Sequence, residues 1–437
     1  MSSKLISILG LGTVASGVSR ILTDQADLIS HRAGCAFEIR NIAVRDLSKP
    51  REFGMPAEIM TTDWKAAATD PDVEIVLELM GGTTTARTAV LAAINAGKHV
   101  VTANKSLLSE FGEEIFSAAQ AAGVCVAFEA AVAGGIPIIS TLQTSMTSNQ
   151  IVAIEAILNG TSNFILSGML DEHRTYDDVL AEAQRLGFAE ADPAMDVDGT
   201  DAAQKLILLT QLVMGKRVGL DEFPRQGIDT LDLEDMLYAR ELGYRVKLLG
   251  VSKLTSDQLE MHVQPTLVRE DRAVARTDGP LNLIELAGDA AGRLVLAGAG
   301  AGQMPTASAV VADLIDVAVG RTQLTFPLLD LWNSNDSLAV LPAEQIERRY
   351  YLRFSVEDRP HVIADIADIL GRHEISVATI IQHEAPEAEP ADENGAVLVP
   401  VVIMTHRTTE GRLRASESEF EKLSTVRSRY VRMPVAD

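Results

Sequence analysis

Cysteine is nearly absent: Cys35 and Cys125 are the only two in 437 residues. Two cysteines cannot build a disulfide framework or a zinc cluster. Both lie in apolar, strand-like settings (GCAFEI and GVCVAF), where cysteine acts as a small hydrophobe. A reducing, cytoplasmic compartment is expected. Aromatics are scarce at 4%, so the cores must be built from Ala, Val, Ile and Leu. The eight histidines are scattered and show no metal-ligand spacing. No apolar run approaches the ~18 residues of a membrane span. The start, MSSKLISILGLG, has one lysine and a short apolar run, not a signal-peptide pattern. Positive charge is outweighed: 38 Lys and Arg against 61 Asp and Glu give a net charge of −23. That argues against nucleic acid or an anionic membrane as a partner. It still permits an anionic small molecule at a local cationic site.

What is present begins with a strand–loop–helix signature. Lys4 to Leu9 reads as a buried strand, and GLGTVASGV follows at once. Gly10, Gly12 and Ala15 match G-x-G-x-x-[GA]. The first glycine permits a tight turn, the second lets backbone approach a pyrophosphate, and the small third residue lets helix pack on strand. Further strands are expected at Ala36 to Val44, Val73 to Met80, His99 to Val101 and Val124 to Phe128. Helical runs fall at Thr85 to Ala96 and Leu107 to Ala121. This is the rhythm of a Rossmann-type, doubly wound parallel sheet in an α/β protein. Leu11, Thr13 and Val14 fall within the glycine loop. In NIAVRDLSKPR, at the end of the second strand, an acid would favour NAD and an arginine NADP. Arg45 comes first, ahead of Asp46, Lys49 and Arg51, so the reading leans to NADP with NAD as the alternative. Gly81, in MGGTTTAR, and Lys105, in VVTANK, sit at strand C-termini, where ligands bind in such sheets.

The stretch GFAEADPAMDVDGTDAAQK, from Gly187 to Lys205, sets five carboxylates (Glu190, Asp192, Asp196, Asp198, Asp201) ahead of one lysine. The following run is helical, so Asp201 and Lys205, four apart, share a face. A carboxylate beside a lysine on an apolar helix suits proton transfer. The plain alternative is an acidic loop and an ordinary ion pair. Upstream, NGTSNFIL opens a helix with polar residues that suit either a small ligand or helix capping. Tyr176 to Leu186 reads as a helix that stops at Gly187. Strands are expected at Ile151 to Leu158, Val246 to Val251 and Leu259 to Leu267. GRLVLAGAGAGQMPTASAVVADLIDV reads as strand, glycine turn and a helix returning to the first domain with Gly302. From Arg348 the order is strand Tyr350 to Val356, helix Val362 to Leu370, strand Ser376 to Ile381, a charged proline-bearing loop, strand Val397 to Met404 and helix Ser416 to Leu423.

Taken with AVRDLSKPR, FEAAVAGGIPII, LNGTSNFIL and AGAGQMPTASAVVADL, these segments resemble the homoserine dehydrogenases of the longer kind, with a C-terminal ACT domain (βαββαβ-like). The resemblance implies a Rossmann domain over residues 1–133, with 302–320 returning to it. An α+β substrate and dimerisation domain over 134–301 follows, then a linker over 321–347 and an ACT domain over 348–437. It implies NAD(P)-linked interconversion of L-homoserine and L-aspartate 4-semialdehyde, feeding threonine, methionine and isoleucine synthesis. Lys205 would be the proton donor, Asp201 would hold and tune it, and Lys105 would sit by the cofactor and the reacting centre. Glu190, the backbone at Gly187, and Asp196 would bind substrate. Gly10, Leu11, Gly12, Thr13, Val14, Arg45, Gly81, Lys105 and Gly302 would line the cofactor site. A sodium ion is implied at Glu129 and the carbonyls of Val132, Gly134 and Ile136, an all-oxygen set. A homodimer or homotetramer is implied, and so is an amino-acid effector, threonine, on the ACT domain. Against the common DRPGV pattern this chain reads DRPHV. His361 takes the place of a glycine that lets an effector approach the backbone, which leaves packing or oligomerisation as an equal role for the domain. Two other readings fit parts of the chain: another Rossmann amino-acid or hydroxy-acid dehydrogenase, and a non-catalytic NADP- or amino-acid-sensing protein.

Overall fold

The computed structural model describes residues 2–50, 53–189, 192–255, 257–383, 398–427 and 430–436. The chain divides into two compact units that interleave along the sequence. The first comprises Met1–Gly160, Asp201–Leu220 and Leu281–Leu338; the second comprises Thr161–Thr200, Asp221–Pro280 and Ala339–Asp437.

The first unit is built on a six-stranded sheet whose order is Met60–Thr61, Ala36–Ala43, Ser3–Leu9, Ile75–Glu78, His99–Thr102, Val126–Ala127. Every neighbouring pair is parallel. In chain order this is 3-2-1-4-5-6, the Rossmann arrangement, and its strand order reverses beside Ser3–Leu9. Strand residues Ile6, Ile8, Leu9, Val76 and Leu77 are buried without contribution from large aromatics. Helix Thr13–Asp24 follows the first strand directly. Helix Gln303–Ala318 lies against it so closely that a Cβ on Gly17 would sit 2.9 Å from the Cβ of Ala307. The unit also holds three antiparallel strands, Gly292–Ala299, Leu281–Gly288 and Ile151–Ile157, in that spatial order. The middle one escaped the sequence reading. Its residues are buried on both faces, so LNLIELAG lacks the alternation that marks a half-exposed strand.

In the second unit, strands Tyr244–Thr255 and Gln258–Arg269 form a long antiparallel hairpin. Val431–Ala436 pairs parallel to Gln258–Arg269, and Glu347–Glu357, Leu398–Thr405 and Val377–Gln382 continue the sheet. With helices Val362–Arg372 and Glu410–Phe420, the C-terminal order is βαββαβ. The last strand was not placed by sequence. The last helix lies earlier than the expected Ser416 to Leu423, because Thr409 caps it, its side chain accepting from the Arg412 N–H. The charged loop expected around residues 386–396 lies outside the described residues. Strand Glu347–Glu357 is buried on both faces. Tyr350, Leu352, Phe354 and Val356 enter an apolar core with Val362, Ile366 and Phe420. On the other face the Arg353 guanidinium grips Asp235 (Nε to Oδ1 2.6 Å, Nη2 to Oδ2 2.9 Å), which is fully buried, and the Tyr351 hydroxyl donates to the same carboxylate at 3.1 Å.

Candidate active site

The glycine loop builds one wall of a cleft at the C-terminal edge of the parallel sheet. Gly10 has φ +96°, and a Cβ there would meet the Leu79 carbonyl oxygen at 2.7 Å, so only glycine fits. Gly12 precedes helix Thr13–Asp24 at its N-terminus, where backbone N–H groups and the helix dipole favour a phosphate. The cleft, of about 1010 Å³, is lined by Gly10, Leu11, Gly12, Thr13 and Ser16, by Val44 to Asp46 with Lys49, and by Trp64, Met80 to Gly82 and Thr85. Arg45 thus stands where the second strand ends, beside a polar turn in which Ser48 donates to Asp46 through both its N–H and its hydroxyl. Of the residues expected here, Val14, Lys105 and Gly302 are not among the lining residues. Gly302 is instead the N-cap of helix Gln303–Ala318, with φ +125°. Trp64 was missed, because WKAAAT carries no cofactor signature.

A second cluster in the same unit gathers three of the expected residues around one carboxylate. Helix Thr200–Met214 places Asp201 in its first turn, where its charge is favourable, and Lys205 one turn on. Lys205 Nζ donates to Asp201 Oδ2 at 2.8 Å and to the Leu158 carbonyl at 2.8 Å. The Asn159 amide also donates to Oδ2, at 2.9 Å. Lys105 Nζ lies 3.1 Å from the other oxygen, Oδ1. Lys105 opens helix Lys105–Ala122, an unfavourable end for a cation, and Asp201 offsets that cost. Both members of the Lys205–Asp201 pair are nine-tenths buried, whereas the Lys105 side chain is a third exposed. Burial pushes the Asp201 carboxyl up. The charges of Lys205 and Lys105, with the hydrogen bonds from Lys205 and Asn159, outweigh it and hold the group at about 2. Asn159 was legible only as one polar residue of the NGTSN loop.

The substrate residues expected in the acidic stretch fall in the second unit, apart from Glu190, which lies outside the described residues. Gly187 ends helix Tyr176–Leu186 in a left-handed conformation, φ +78°. Asp196 sits in the short helix Ala194–Val197, and its carbonyl accepts the Ser162 hydroxyl at 2.7 Å. The Thr161 hydroxyl donates to the Phe188 carbonyl at 2.8 Å.

At the turn that follows the sixth strand, Glu129 is buried and its two oxygens accept the N–H groups of Ile139 (2.8 Å) and Ser140 (2.7 Å). The Glu129 N–H donates to Asp313 at 2.9 Å. Burial raises both carboxyls, and for Asp313 the charge of Glu129 adds to the rise. Gly134 has φ +43°, and the Ile136 carbonyl accepts from Ile138 N–H at 2.8 Å. Among the described residues there is no group of three or more His, Cys, Asp or Glu side chains arranged to hold a metal ion. No helix among them is long and apolar enough to cross a membrane.

A parallel 3-2-1-4-5-6 sheet with a glycine-walled cleft, and a buried lysine held by a carboxylate, define a nicotinamide-dinucleotide-linked dehydrogenase. Comparison with known proteins narrows the class. Residues 137–315 match the homoserine dehydrogenase family, residues 10–129 the homoserine dehydrogenase NAD binding domain, and residues 350–424 the ACT domain. The homoserine dehydrogenase of Pseudomonas aeruginosa is 43% identical over 441 residues, covering 100% of this chain and 99% of that protein. That of Neisseria gonorrhoeae is 42% identical, covering 96% of each. The crystal structure of a homoserine dehydrogenase from Thiobacillus denitrificans superposes with a TM-score of 0.90 at 42% identity, covering 100% of this chain and 99% of that one. A hyperthermophilic archaeal homoserine dehydrogenase in complex with NADPH shares the fold, with a TM-score of 0.60 at 24% identity, covering 72% of this chain and 97% of that one. The chain belongs to the homoserine dehydrogenase family, and is an NAD(P)-dependent oxidoreductase acting on a CH–OH group.

Proposed function

We propose that Lys205 is the proton donor in the reduction of L-aspartate 4-semialdehyde to L-homoserine, and the acceptor in reverse. The observation that carries this reading is the Asp201 carboxylate shared by Lys205 and Lys105. A lysine ammonium has three donors. Lys205 commits two, to Asp201 and Leu158, and the third is left for the carbonyl oxygen of a substrate. Asp201, ionised at any physiological pH, accepts from the lysine and fixes its direction. An alkoxide developing at the substrate then meets a cation and a proton together. Lys105 supplies a second positive charge at the same centre and draws on the same carboxylate. Glu190, the Gly187 backbone and Asp196 are assigned to the substrate's amino-acid end.

The bound cofactor supplies or accepts the hydride. Gly10, Leu11, Gly12 and Thr13 would hold its pyrophosphate, with Val14 and Gly302 assigned to the same site. Gly81 lines the cleft where the fourth strand ends, and Arg45 lines it where the second strand ends, a position from which an arginine would meet a 2′-phosphate and favour NADP over NAD. For sodium, the donors at Glu129, Val132, Gly134 and Ile136 are all oxygen, the type a hard cation takes. A cation there would also relieve the repulsion between Glu129 and Asp313, whose carboxyls are both raised. No catalytic step passes through it.

The reading places the enzyme in the cytoplasm, in threonine, methionine and isoleucine synthesis, as a homodimer or homotetramer. Functionally the chain divides into the nucleotide segment 1–133 with 302–320, the substrate and dimerisation segment 134–301, the linker 321–347 and the ACT segment 348–437, which would take an amino-acid effector. The test is oxidation of NADPH by L-aspartate 4-semialdehyde, with NADH in parallel, followed by Glu190→Ala. The expected outcome is turnover that prefers NADPH, and a raised KM for homoserine in the variant. Equal use of NADH overturns the cofactor preference, and an unchanged KM overturns the role of Glu190.

A further inference from the structure

Glu78 is the last residue of the fourth strand of the parallel sheet, and it is completely buried. It stands between Leu9 on the first strand and Thr102 on the fifth, its register partners. A buried carboxylate in the middle of a nucleotide-binding sheet needs a reason, because desolvation penalises it unless it is fully hydrogen-bonded. Its partners supply that reason. Oε1 accepts the Met80 N–H at 3.0 Å and the Asn104 amide at 3.5 Å. Oε2 accepts the Thr102 hydroxyl at 2.7 Å. Each partner is itself tied into the site. Thr102 Oγ1 accepts the Asn104 N–H at 3.0 Å. The Asn104 amide also donates to the Gly82 carbonyl at 2.7 Å, and its Oδ1 accepts the Leu107 N–H at 3.1 Å, capping the helix that opens with Lys105.

We propose that Glu78 is a positioning residue for the dehydrogenase reaction: its carboxylate fixes, as one buried clamp, the Met80–Gly82 turn of the cofactor cleft and the Asn104 cap that aims Lys105. On one side the clamped segment meets the glycine loop, since Leu79 and Met80 are the atoms a Cβ on Gly10 would strike at 2.7 Å. On the other side it reaches Lys105 and, through Lys105, Asp201. A long side chain with two polar terminal atoms can reach both strand ends at once, and the two oxygens of a carboxylate accept from both. Burial pushes the Glu78 carboxyl up, while the hydrogen bonds from Thr102, Met80 and Asn104 oppose the rise, so the converging donors are what make this position tenable.

The inference rests on the cofactor cleft and on the proposed role of Lys105, and the experiment separates the two. NADPH affinity by fluorescence, kcat with L-aspartate 4-semialdehyde, and thermal melting are measured for Glu78→Ala, Glu78→Gln and Lys105→Ala. Glu78→Ala is expected to weaken NADPH binding and to lower kcat, each by about tenfold or more, since small misplacements of reacting groups are that costly. Glu78→Gln keeps the Oε1 acceptor and lets the Thr102 hydroxyl turn to accept instead, so it recovers most of both losses. A Glu78→Ala protein that melts cooperatively and keeps wild-type affinity and kcat overturns the clamp. A folded Glu78→Gln protein as impaired as the alanine variant also overturns it, because charge and not position is then what matters. If Glu78→Ala does not fold, Thr102→Val removes one arm at constant shape. It is expected to show smaller losses of the same kind, and wild-type values there overturn the proposal. A normal kcat in Lys105→Ala, with Glu78→Ala impaired in NADPH binding, refutes the role of Lys105 and leaves the cleft half of the clamp standing.

Discussion

Lys105 and Lys205 hold opposite oxygens of one carboxylate: Lys105 lies 3.1 Å from Oδ1 of Asp201, and Lys205 lies 2.8 Å from Oδ2. Two cations that would repel one another are thereby fixed at a single centre. One is buried, and the other is open enough to meet a ligand.

The Asp201 carboxyl has a consequence for acid stability. Its folded value, about 2, lies below the ordinary 3.8. A depressed carboxyl contributes stability that is fully present above about pH 4 and is lost as pH falls through the folded value. The contribution is ~2 kcal/mol. Urea unfolding of the wild type and of Asp201→Asn at pH 5 and pH 2 should show the difference between them shrinking by that amount as pH falls. A difference independent of pH would contradict the two-lysine environment.

Arg45 sets the cofactor preference if it faces a 2′-phosphate. A charge-assisted hydrogen bond of this kind is worth about tenfold or more in affinity. Arg45→Ala should raise the KM for NADPH by that factor and leave NADH nearly unchanged. Equal effects on both cofactors would remove Arg45 from that role.

Arg353 and Asp235 form an ion pair in which the carboxylate is fully buried and the arginine is 8% exposed. Removing the cation leaves that carboxylate with the Tyr351 hydroxyl and the Asp232 N–H. Arg353→Met should cost about 3–5 kcal/mol in denaturant unfolding, and Asp235→Asn added to it should recover part of the loss. A loss below 1 kcal/mol would show the pair to be dispensable.

His361 occupies a backbone conformation that favours glycine, φ +77°, at the N-cap of helix Val362–Arg372. The sequence departure from DRPGV is therefore a change of side chain on the backbone a glycine would adopt. If an amino-acid effector approaches this backbone, the imidazole is in its way. His361→Gly should make the enzyme more sensitive to threonine, read as a lower half-inhibiting concentration. Identical inhibition curves would mean the ACT segment serves packing or assembly.

The nucleotide fold was legible because its signals are local. GLGTVASGV follows a buried strand and opens a helix within a few residues, and each later strand ends at a polar or glycine turn. Asp201 and Lys205 were legible for the same reason, being one helical turn apart. Lys105 pairing with Asp201 was not, because the two meet only when two helices do. Glu78 was hidden inside EIVLELM, where nothing separates it from Glu74, four residues earlier in the same expected strand, and its side-chain partners lie on and just after the next strand. Arg353 was hidden too: on a strand buried on both faces, alternation cannot distinguish an inward charge from an outward one.

The most direct test of the central claim is a single turnover with NADPH already bound. L-aspartate 4-semialdehyde is mixed with the wild type and with Lys205→Ala, and NADPH affinity is measured separately. With Lys205 as the proton donor, the variant oxidises NADPH at least about a hundredfold more slowly while binding it as the wild type does. A variant that reacts at the wild-type rate, or one whose slow reaction is matched by an equal loss of NADPH affinity, would contradict the account.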